Sequence, residues 1–194
     1  MKREPIQMSF NVTETEIDTV KIIEPKVFDD ERGFFWETYK FSEFCEYGIN
    51  DRFVQFNYSI SGIKVLRGMH YQLNPKAQAK LVRCIRGSVF DVAVDIRKNS
   101  PTFLKWVGVE LTENNRKLLY VPRGFAHGFC SLAEKTEVEY YCTEEYSSVD
   151  ERGIIWNDSK ININWPIKEP VVSEKDKILD NSSVAEMNFL YEYK

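Results

Sequence analysis

Apolar and polar side chains alternate along most of the chain after residue 50. Short runs rich in β-branched and aromatic residues are separated by brief turns of Gly, Asn, Pro or charged residues, at roughly 10–12 residue spacing. Alternation with period two places successive side chains on opposite faces of a strand. The runs are DRFVQFNYSIS, KVLRGMHYQ, AKLVRCIRG, SVFDVAVDIRK, FLKWVGVELT, RKLLYVPRG, AHGFCSLAE and TEVEYYCTEEY. They predict an all-β fold, a jelly roll with about eight strands in two sheets.

The flanking segments predict a few further elements. Residues 20–27 have strand composition, and Pro25 favours an edge position. Residues 41–48 predict a short helix with Ser42 as N-cap and Gly48 just after its end. Residues 1–18 predict a loose N-terminal arm or a late-docking strand, and residues 177–194 a polar tail. The sequence shows no internal repeat or linker, so we expect residues 1–194 to form a single domain.

One run, SVFDVAVDIRK, places two carboxylates on a strand that is otherwise apolar. Period-two alternation assigns Asp91 and Asp95 to the same face as Val89 and Ala93. The opposite face carries Phe90, Val92, Val94 and Ile96.

Composition and charge narrow the range of partners and locations. The net charge of −4 and pI near 5.4 argue against nucleic-acid binding, which normally needs a basic face. The four cysteines have no metal-binding spacing and lie in apolar runs, so we expect buried free thiols at Cys45, Cys84, Cys130 and Cys142. No apolar run approaches the length of a membrane span, and the N-terminus lacks a signal-peptide pattern, so we expect a cytoplasmic protein without a membrane partner.

The chain has only two histidines, so any imidazole chemistry depends on His70 and His127. His70 lies in LRGMHYQ, where alternation predicts that Gly68, His70 and Gln72 share a face and that the glycine leaves room for a ligand. His127 follows a tight turn in VPRGFAHGF. Either could equally be a hydrogen-bonded structural histidine. A metal centre would need three or four ligands, and two isolated histidines are too few.

Other candidate residues have ordinary structural alternatives. Lys80, in KAQAKLVR, alternates with Val82 and Cys84 and could simply face solvent. Tyrosine clusters such as the one in TEVEYYCTEEYSS are usually core or interface residues. Residues alone therefore indicate a β-domain with a candidate His, Arg, Lys and Tyr pocket.

Seven motifs, in this order and spacing, resemble the dTDP-4-dehydrorhamnose 3,5-epimerase family over about residues 20–176. They are DERGFFWET, LRGMHYQ, KLVRCIRGSVFDVAVDIRKNSPTF, VPRGFAHGF, GIIWND, INWP and SEKD. The resemblance implies a cupin-type jelly roll with no metal or other cofactor. It also implies a homodimer in which substrate contacts are shared across subunits.

The implied reaction inverts carbons 3 and 5 of dTDP-4-keto-6-deoxy-glucose, the precursor of dTDP-rhamnose used in lipopolysaccharide or other cell-surface polysaccharide. The 4-keto group acidifies both flanking C–H bonds, so each centre needs a base on one face and an acid on the other. The resemblance assigns four catalytic residues. They are His70 as base, Asp176 as its partner, Lys80 for the enolate oxygen, and Tyr140 as acid, with Tyr141 the competitor if the register slips by one.

The resemblance also implies a set of substrate contacts, some of them contributed across the dimer. These are Arg32, Glu37, Gln55, Asn57, Arg67, His127, Tyr146, Glu151 and Lys175, with Arg67 at the diphosphate and Tyr146 either stacking on thymine or packing. The sequence departs from the usual motifs at Phe56, Ala79 and Arg123. These departures put the nucleotide, the sugar and the number of inverted centres in question more than the reaction type. The alternatives are a 3- or 5-mono-epimerase, a metal-dependent cupin enzyme, and a non-catalytic sugar-nucleotide binder.

Overall fold

A computed structural model describes residues 9–192 of the chain. The described part is built almost entirely of antiparallel β-strands. In chain order the elements are β1 Phe10–Glu14, β2 Lys21–Pro25, β3 Phe28–Asp30, β4 Gly33–Phe35, α1 Phe41–Glu46, β5 Gln55–Ser61, β6 Val65–Gln72, β7 Lys80–Arg86, β8 Ser88–Asp95, β9 Trp106–Thr112, β10 Leu118–Val121, β11 Phe125–Ser131, β12 Thr136–Cys142, β13 Glu151–Gly153, β14 Val171–Val172 and α2 Glu174–Lys177. None of the helices in this range is long and apolar enough to cross a membrane.

The strands form two facing sheets whose central strands come from β5 to β12. One sheet has the order β1-β2-β10-β7-β12-β5, and the other β13-β6-β11-β8-β9, with β14 beside β6. Strands β5 to β12 thus divide four and four between the sheets, in the order of a jelly roll. The all-β jelly-roll prediction is confirmed. Strands β3 and β4 form a separate hairpin outside both sheets.

Strand β8 shows why a run with carboxylates can lie in the centre of the fold. Its face with Val89 and Ala93 belongs to the core between the two sheets, and its face with Val92 and Val94 packs under the C-terminal segment. The predicted division of side chains between the two faces is confirmed. Asp91 is completely buried within the inter-sheet space, where a carboxylate is costly unless neighbouring groups compensate it.

The predicted helix is present, but its first residue differs from the prediction. Lys40, not Ser42, is the N-cap, and no side chain caps this end. At the other end Gly48 has φ +78°, and its N–H donates to the Cys45 carbonyl while the Ile49 N–H donates to the Phe44 carbonyl. These two bonds form a Schellman motif, which the sequence predicted through the glycine.

The predictions for Pro25 and for residues 177–194 need correction. Strand β2 lies between β1 and β10, so Pro25 ends an internal strand rather than marking an edge. Residues 10–14 form β1 against β2, whereas residues 1–8 lie outside the described part. The segment predicted as a polar tail buries Met187 and Phe189 against the outer face of the second sheet.

Candidate active site

One end of the inter-sheet space is a cleft lined by polar side chains from both sheets. It consists of a cavity of about 400 Å³ and an adjoining one of about 180 Å³, which share His70, Lys80 and Tyr140. The larger cavity also reaches Arg67, His127, Lys175 and Asp176. The smaller one also reaches Gln55, Asn57, Tyr146 and Glu151. Eleven of the thirteen residues expected at the site therefore line one cleft.

His70 lies on β6 and is held by a carboxylate from the distant helix α2. Its Nε2 is 2.8 Å from Asp176 Oδ1, and Asp176 Oδ2 accepts the Gly68 N–H at 3.2 Å. Burial raises the pKa of Asp176, but its bonds to His70 and Gly68 outweigh burial and lower that pKa overall. An ionised Asp176 accepts the Nε2 proton, so the neutral ring is unprotonated at Nδ1.

The start of α2 places Asp176. Ser173 is the N-cap, and its hydroxyl accepts the Asp176 N–H at 3.1 Å. A capping serine fixes the backbone of the first helical turn. The carboxylate is thereby aimed at His70, 106 residues away in the chain.

A bulge in β6 brings Arg67 to the same cleft as His70, although strict alternation predicted opposite faces. The strand pairing sets His70 opposite His127 but Arg67 opposite Phe129, so β6 has one extra residue in this interval. An extra residue reverses the side on which the following residues point. Gly68, in the bulge, has φ +131°, and a Cβ there would lie 2.5 Å from the Gly128 Cα. The missing side chain thus admits the neighbouring strand, not a ligand as predicted.

Lys80 begins β7 and projects into the cleft with only 9% of its surface exposed. Its Nζ donates to the His70 carbonyl at 3.5 Å. Burial lowers the pKa of Lys80, while Cys142, Asp91 and Glu151 act in the opposite direction. The solvent-facing alternative for this lysine is wrong.

Tyr140 and Tyr141 lie on opposite faces of β12, and only Tyr140 lines the two cavities. Tyr140 lines the cleft, and burial raises the pKa of its phenol. The Tyr141 hydroxyl instead donates to Glu139 at 2.7 Å on the outer face, where its ring packs edge-on against Phe56 at 4.9 Å. Because Tyr140 lies on the sheet that faces His70, the phenol and the imidazole approach the cleft from opposite walls.

His127 is the cross-strand neighbour of His70 but is held by its own carboxylate. Its Nε2 is 2.6 Å from Asp91 Oδ1, and both side chains are at least 95% buried. Burial lowers the pKa of His127 more than Asp91 raises it. The ring is therefore neutral near pH 7 and donates its Nε2 proton to Asp91.

The mouth of the cleft carries a small ion-pair cluster. Glu151 Oε2 accepts from Tyr146 at 2.7 Å and from Lys175 at 2.6 Å. Burial raises the pKa of Glu151, but the bonds from Lys175 and Tyr146 outweigh it and lower the pKa overall. The cluster joins β13 to α2 and so helps to hold the helix that carries Asp176.

Arg32 and Glu37 are the expected site residues that lie outside the cleft of this chain. Arg32, in the β3–β4 turn, forms an ion pair with Asp30 at 2.5 Å, and Glu37 lies 3.7 Å from Lys40. Neither side chain lines either cavity. In this chain they are separated from the other expected contacts.

The departures from the usual motifs also lie outside the cleft. Phe56 points outward from β5 with 68% of its surface exposed. Ala79 is fully buried, and its N–H donates to the Thr143 hydroxyl. Arg123 donates to the Ala77 carbonyl at 3.1 Å and pairs with Asp51. None of these three side chains lines either cavity of the cleft.

Several residues at or behind the cleft were not expected from the sequence. Asp91 lines neither cavity but is hydrogen-bonded to His127, which does, and the signal that could have found it was a carboxylate among the apolar residues of one strand face. The smaller cavity is also bounded by Gln72 and Cys142. Cys142 is buried as expected, as are Cys84 and Cys130, whereas Cys45 is only half-buried. Among residues 9–192, no three or more His, Cys, Asp or Glu side chains are grouped so as to hold a metal ion.

Comparisons with known proteins converge on one family. The profile of the family described as dTDP-4-dehydrorhamnose 3,5-epimerase matches residues 14–183. An enzyme of that name from Shigella flexneri is 57% identical over 86% of this chain and 92% of its own length, and one from Salmonella typhimurium is 51% identical over 90% and 98%. The crystal structure of a dTDP-6-deoxy-D-glucose-3,5-epimerase from Legionella pneumophila, in complex with dTDP-4-keto-L-rhamnose, superposes with a TM-score of 0.91 at 44% identity, covering 95% of this chain and all of that one.

Proposed function

This chain belongs to the dTDP-4-dehydrorhamnose 3,5-epimerase family, and we propose that its cleft inverts carbons 3 and 5 of dTDP-4-keto-6-deoxy-glucose through enolate intermediates. The observation that carries the proposal is the placement of a base and an acid on opposite walls of one cleft. His70, held by Asp176, lies on β6, and Tyr140 lies on β12 of the facing sheet. Inversion needs this arrangement, because the proton must leave one face of the carbon and return to the other.

In the proposed step, Nδ1 of His70 takes the proton from the carbon beside the ketone. The electron pair of the broken C–H bond forms the enolate, and the charge collects on the carbonyl oxygen. Lys80 supplies a buried positive charge for that oxygen, where low solvent access strengthens the attraction. Tyr140 then donates its proton to the opposite face of the carbon, and both groups exchange protons with water before the second carbon is inverted and again before the next turnover.

The remaining contacts are proposed for the sugar nucleotide. Arg67 and Lys175 lie in the larger cavity, where a guanidinium fork and an ammonium suit diphosphate oxygens. Gln55 and Asn57 present amides to the smaller cavity, beside Tyr146. His127 lines the larger cavity.

Isotope exchange tests the reaction directly. The protein is incubated with dTDP-4-keto-6-deoxy-glucose in deuterated water, and the label at carbons 3 and 5 is followed by NMR. We expect deuterium at both carbons together with the inverted product. Label at one carbon only would show a mono-epimerase, and no exchange by folded protein would contradict the substrate assignment.

We also propose that the working form is a homodimer of one-domain subunits that share substrate contacts. Strand β5 is the edge of its sheet, and Phe56, Tyr58 and Ile60 on its outer face are each more than half exposed. An edge strand with exposed apolar side chains favours association with another chain. A second copy would also give Arg32 and Glu37 a cleft to enter.

Complementation between variants tests this assembly. Homodimers of Arg32→Ala and of His70→Ala should each be nearly inactive. If Arg32 acts in the partner's cleft, co-expressing the two variants produces heterodimers with one intact site, and activity returns. Folded variants that form heterodimers without regaining activity would place Arg32 in its own subunit's cleft or outside the site altogether. Light scattering on Phe56→Glu should show a monomer.

We propose a cytoplasmic location and a role in supplying dTDP-rhamnose for cell-surface polysaccharide. All four cysteines are free thiols, which fits a reducing compartment. Cell fractionation with an antibody against the chain would test the location, and a polysaccharide lacking rhamnose in a deletion strain would support the role.

A further inference from the structure

The buried pair formed by Asp91 and His127 leaves one carboxylate oxygen without a protein partner. Asp91 Oδ1 accepts from His127, but Oδ2 is buried and has no hydrogen bond within the described residues. A buried, half-satisfied carboxylate is costly unless a nearby positive charge compensates it. The adjoining cleft contains such a charge at Lys80, on which Asp91 acts electrostatically.

Lys80 in turn has no ion-pair partner within 4 Å among the described residues. It is almost completely buried, and its hydrogen bond within the described residues is a long one to a neutral carbonyl. A buried ammonium keeps its proton only if an anion lies nearby. Three groups could supply negative charge to Lys80: Cys142, Asp91 and Glu151.

Two of the three candidate anions are unsuitable. Burial raises the pKa of the Cys142 thiol, so Cys142 is neutral near pH 7. Glu151 is an anion, but it is already paired with Lys175 at 2.6 Å. Asp91 remains, because its hydrogen-bond partner within residues 9–192 is a neutral imidazole, which does not compensate a negative charge.

We propose that Asp91 is the counter-ion that keeps the Lys80 ammonium charged inside the cleft, and that His127 holds Asp91 in place. The inference deepens the proposed function, since the charge on Lys80 is what would stabilise the enolate. Asp91 acts through Lys80 and is therefore a positioning residue rather than a catalytic one. Asp91, Cys142 and Glu151 act on Lys80 electrostatically. The other titratable or charged side chains that line the same two cavities are Arg67, His70, His127, Tyr140, Tyr146, Lys175 and Asp176.

An NMR titration tests the proposal without substrate. Protein containing lysine labelled with ¹³C at Cε is titrated from neutral to alkaline pH, and the Lys80 signal is identified by its loss in Lys80→Arg. In Asp91→Asn we expect the Lys80 midpoint to fall by about one pH unit or more, as loss of a nearby opposite charge does. Asp91→Glu keeps the charge and should restore most of the midpoint.

Glu151→Gln is the matched control, since it removes the same charge from the wall of the same cleft. Its effect on the Lys80 midpoint should be much smaller, because Lys175 already neutralises Glu151. A midpoint unchanged in folded Asp91→Asn would overturn the proposal, and so would a larger shift in Glu151→Gln. Circular dichroism establishes that each variant is folded, and Asp91→Glu carries the test if Asp91→Asn does not fold. In that case the Lys80 midpoint of Asp91→Glu, which keeps the carboxylate, is compared with that of His127→Ala, which removes the group that holds the carboxylate in place. Asp91→Glu should stay closer to the wild-type midpoint, and an equal fall in both variants would count against the assignment.

The pH dependence of kcat/KM gives a second readout. Loss of the counter-ion should move the alkaline limb of the wild-type profile to lower pH in Asp91→Asn by the same amount as the NMR midpoint. If the NMR midpoint moves while the protein has no epimerase activity on this substrate, the counter-ion inference stands and the proposed function fails. If activity is present and the midpoint does not move, the reverse holds.

Discussion

His70 and His127 face each other across neighbouring strands, and each is hydrogen-bonded to a different carboxylate. His70 pairs with Asp176 at 2.8 Å and remains partly exposed to the cleft, whereas His127 pairs with Asp91 at 2.6 Å and is buried. The two pairs look alike in bonding but differ in access to a substrate. Exposure therefore distinguishes His70, the proposed base, from His127, which is proposed to hold Asp91 in place.

Asp176→Asn should reduce epimerisation by about 10²–10⁴-fold while the protein stays folded, since an amide neither selects the His70 tautomer nor stabilises the imidazolium. The measurement is kcat/KM together with the rate of deuterium uptake at carbons 3 and 5. Glu174→Gln, on the same short helix but exposed and paired with Lys177, is the control and should retain wild-type activity. Equal activity in Asp176→Asn and wild type would exclude the proposed dyad.

Tyr140→Phe should separate proton removal from inversion. Without the phenol, His70 can still remove a proton and return deuterium to the same face, so substrate should gain label while inverted product falls by at least about tenfold. Mass spectrometry of the substrate and NMR of the product distinguish the two outcomes. Tyr141→Phe loses the bond to Glu139, worth about 1 kcal/mol, on the outer face of the sheet and should keep its activity. Label and product falling in parallel in Tyr140→Phe would argue against its role as the acid.

Gly68→Ala should destabilise the protein and impair the site. The substitution forces a side chain into a φ of +131° and places its Cβ 2.5 Å from the Gly128 backbone, which has no flexible end to move away. We expect a loss of about 1–3 kcal/mol in the free energy of unfolding, measured with urea. Gly62→Ala is the matched control, because its Cβ would meet nothing closer than the Glu134 side chain at 3.8 Å. A neutral Gly68→Ala would mean that the bulge can be rebuilt without glycine.

Asp95→Asn should weaken the fold most at neutral pH. Asp95 is fully buried, and although burial raises its pKa, bonds from Arg97, Ser100 and Thr102 lower that pKa overall. A lowered folded-state pKa contributes stability above the unfolded value of about 3.9, and this stability is lost as the pH falls through the folded value. Breaking the buried pair with Arg97 should cost about 3–5 kcal/mol at pH 7.

The check is the free energy of unfolding from pH 7 down to pH 3. The wild type should lose more stability over this range than Asp95→Asn, so the two curves converge at low pH. Asp180→Asn, an exposed carboxylate in the C-terminal segment, is the control and should follow the wild type. Parallel curves for Asp95→Asn and wild type would show that Asp95 is not ionised in the folded protein.

Local pattern was sufficient for the strands and for many of the side-chain directions. The alternation that separates Tyr140 from Tyr141 is a property of the extended backbone, and so is the division of β8 into two faces. Both could be read without knowing what lay beside each strand. The same rule was wrong for Arg67, because a bulge depends on the close packing of Gly68 against Gly128 on another strand.

The sequence by itself determined an all-β jelly roll, a cleft chemistry centred on two scarce histidines, and through its motifs the family. Its motifs also implied Asp176 as the partner of His70, but only the tertiary structure gave the geometry of that pair and assigned Asp91 to His127. Asp176 reaches His70 from 106 residues away, and Asp91 reaches His127 across a strand pair. Side-chain alternation reports the neighbours of a residue along its own strand, whereas the partner of a buried charge is set by strands brought together in folding. The sequence therefore identified the reactive groups and, through its motifs, the partner of His70, whereas packing supplied the partner of His127.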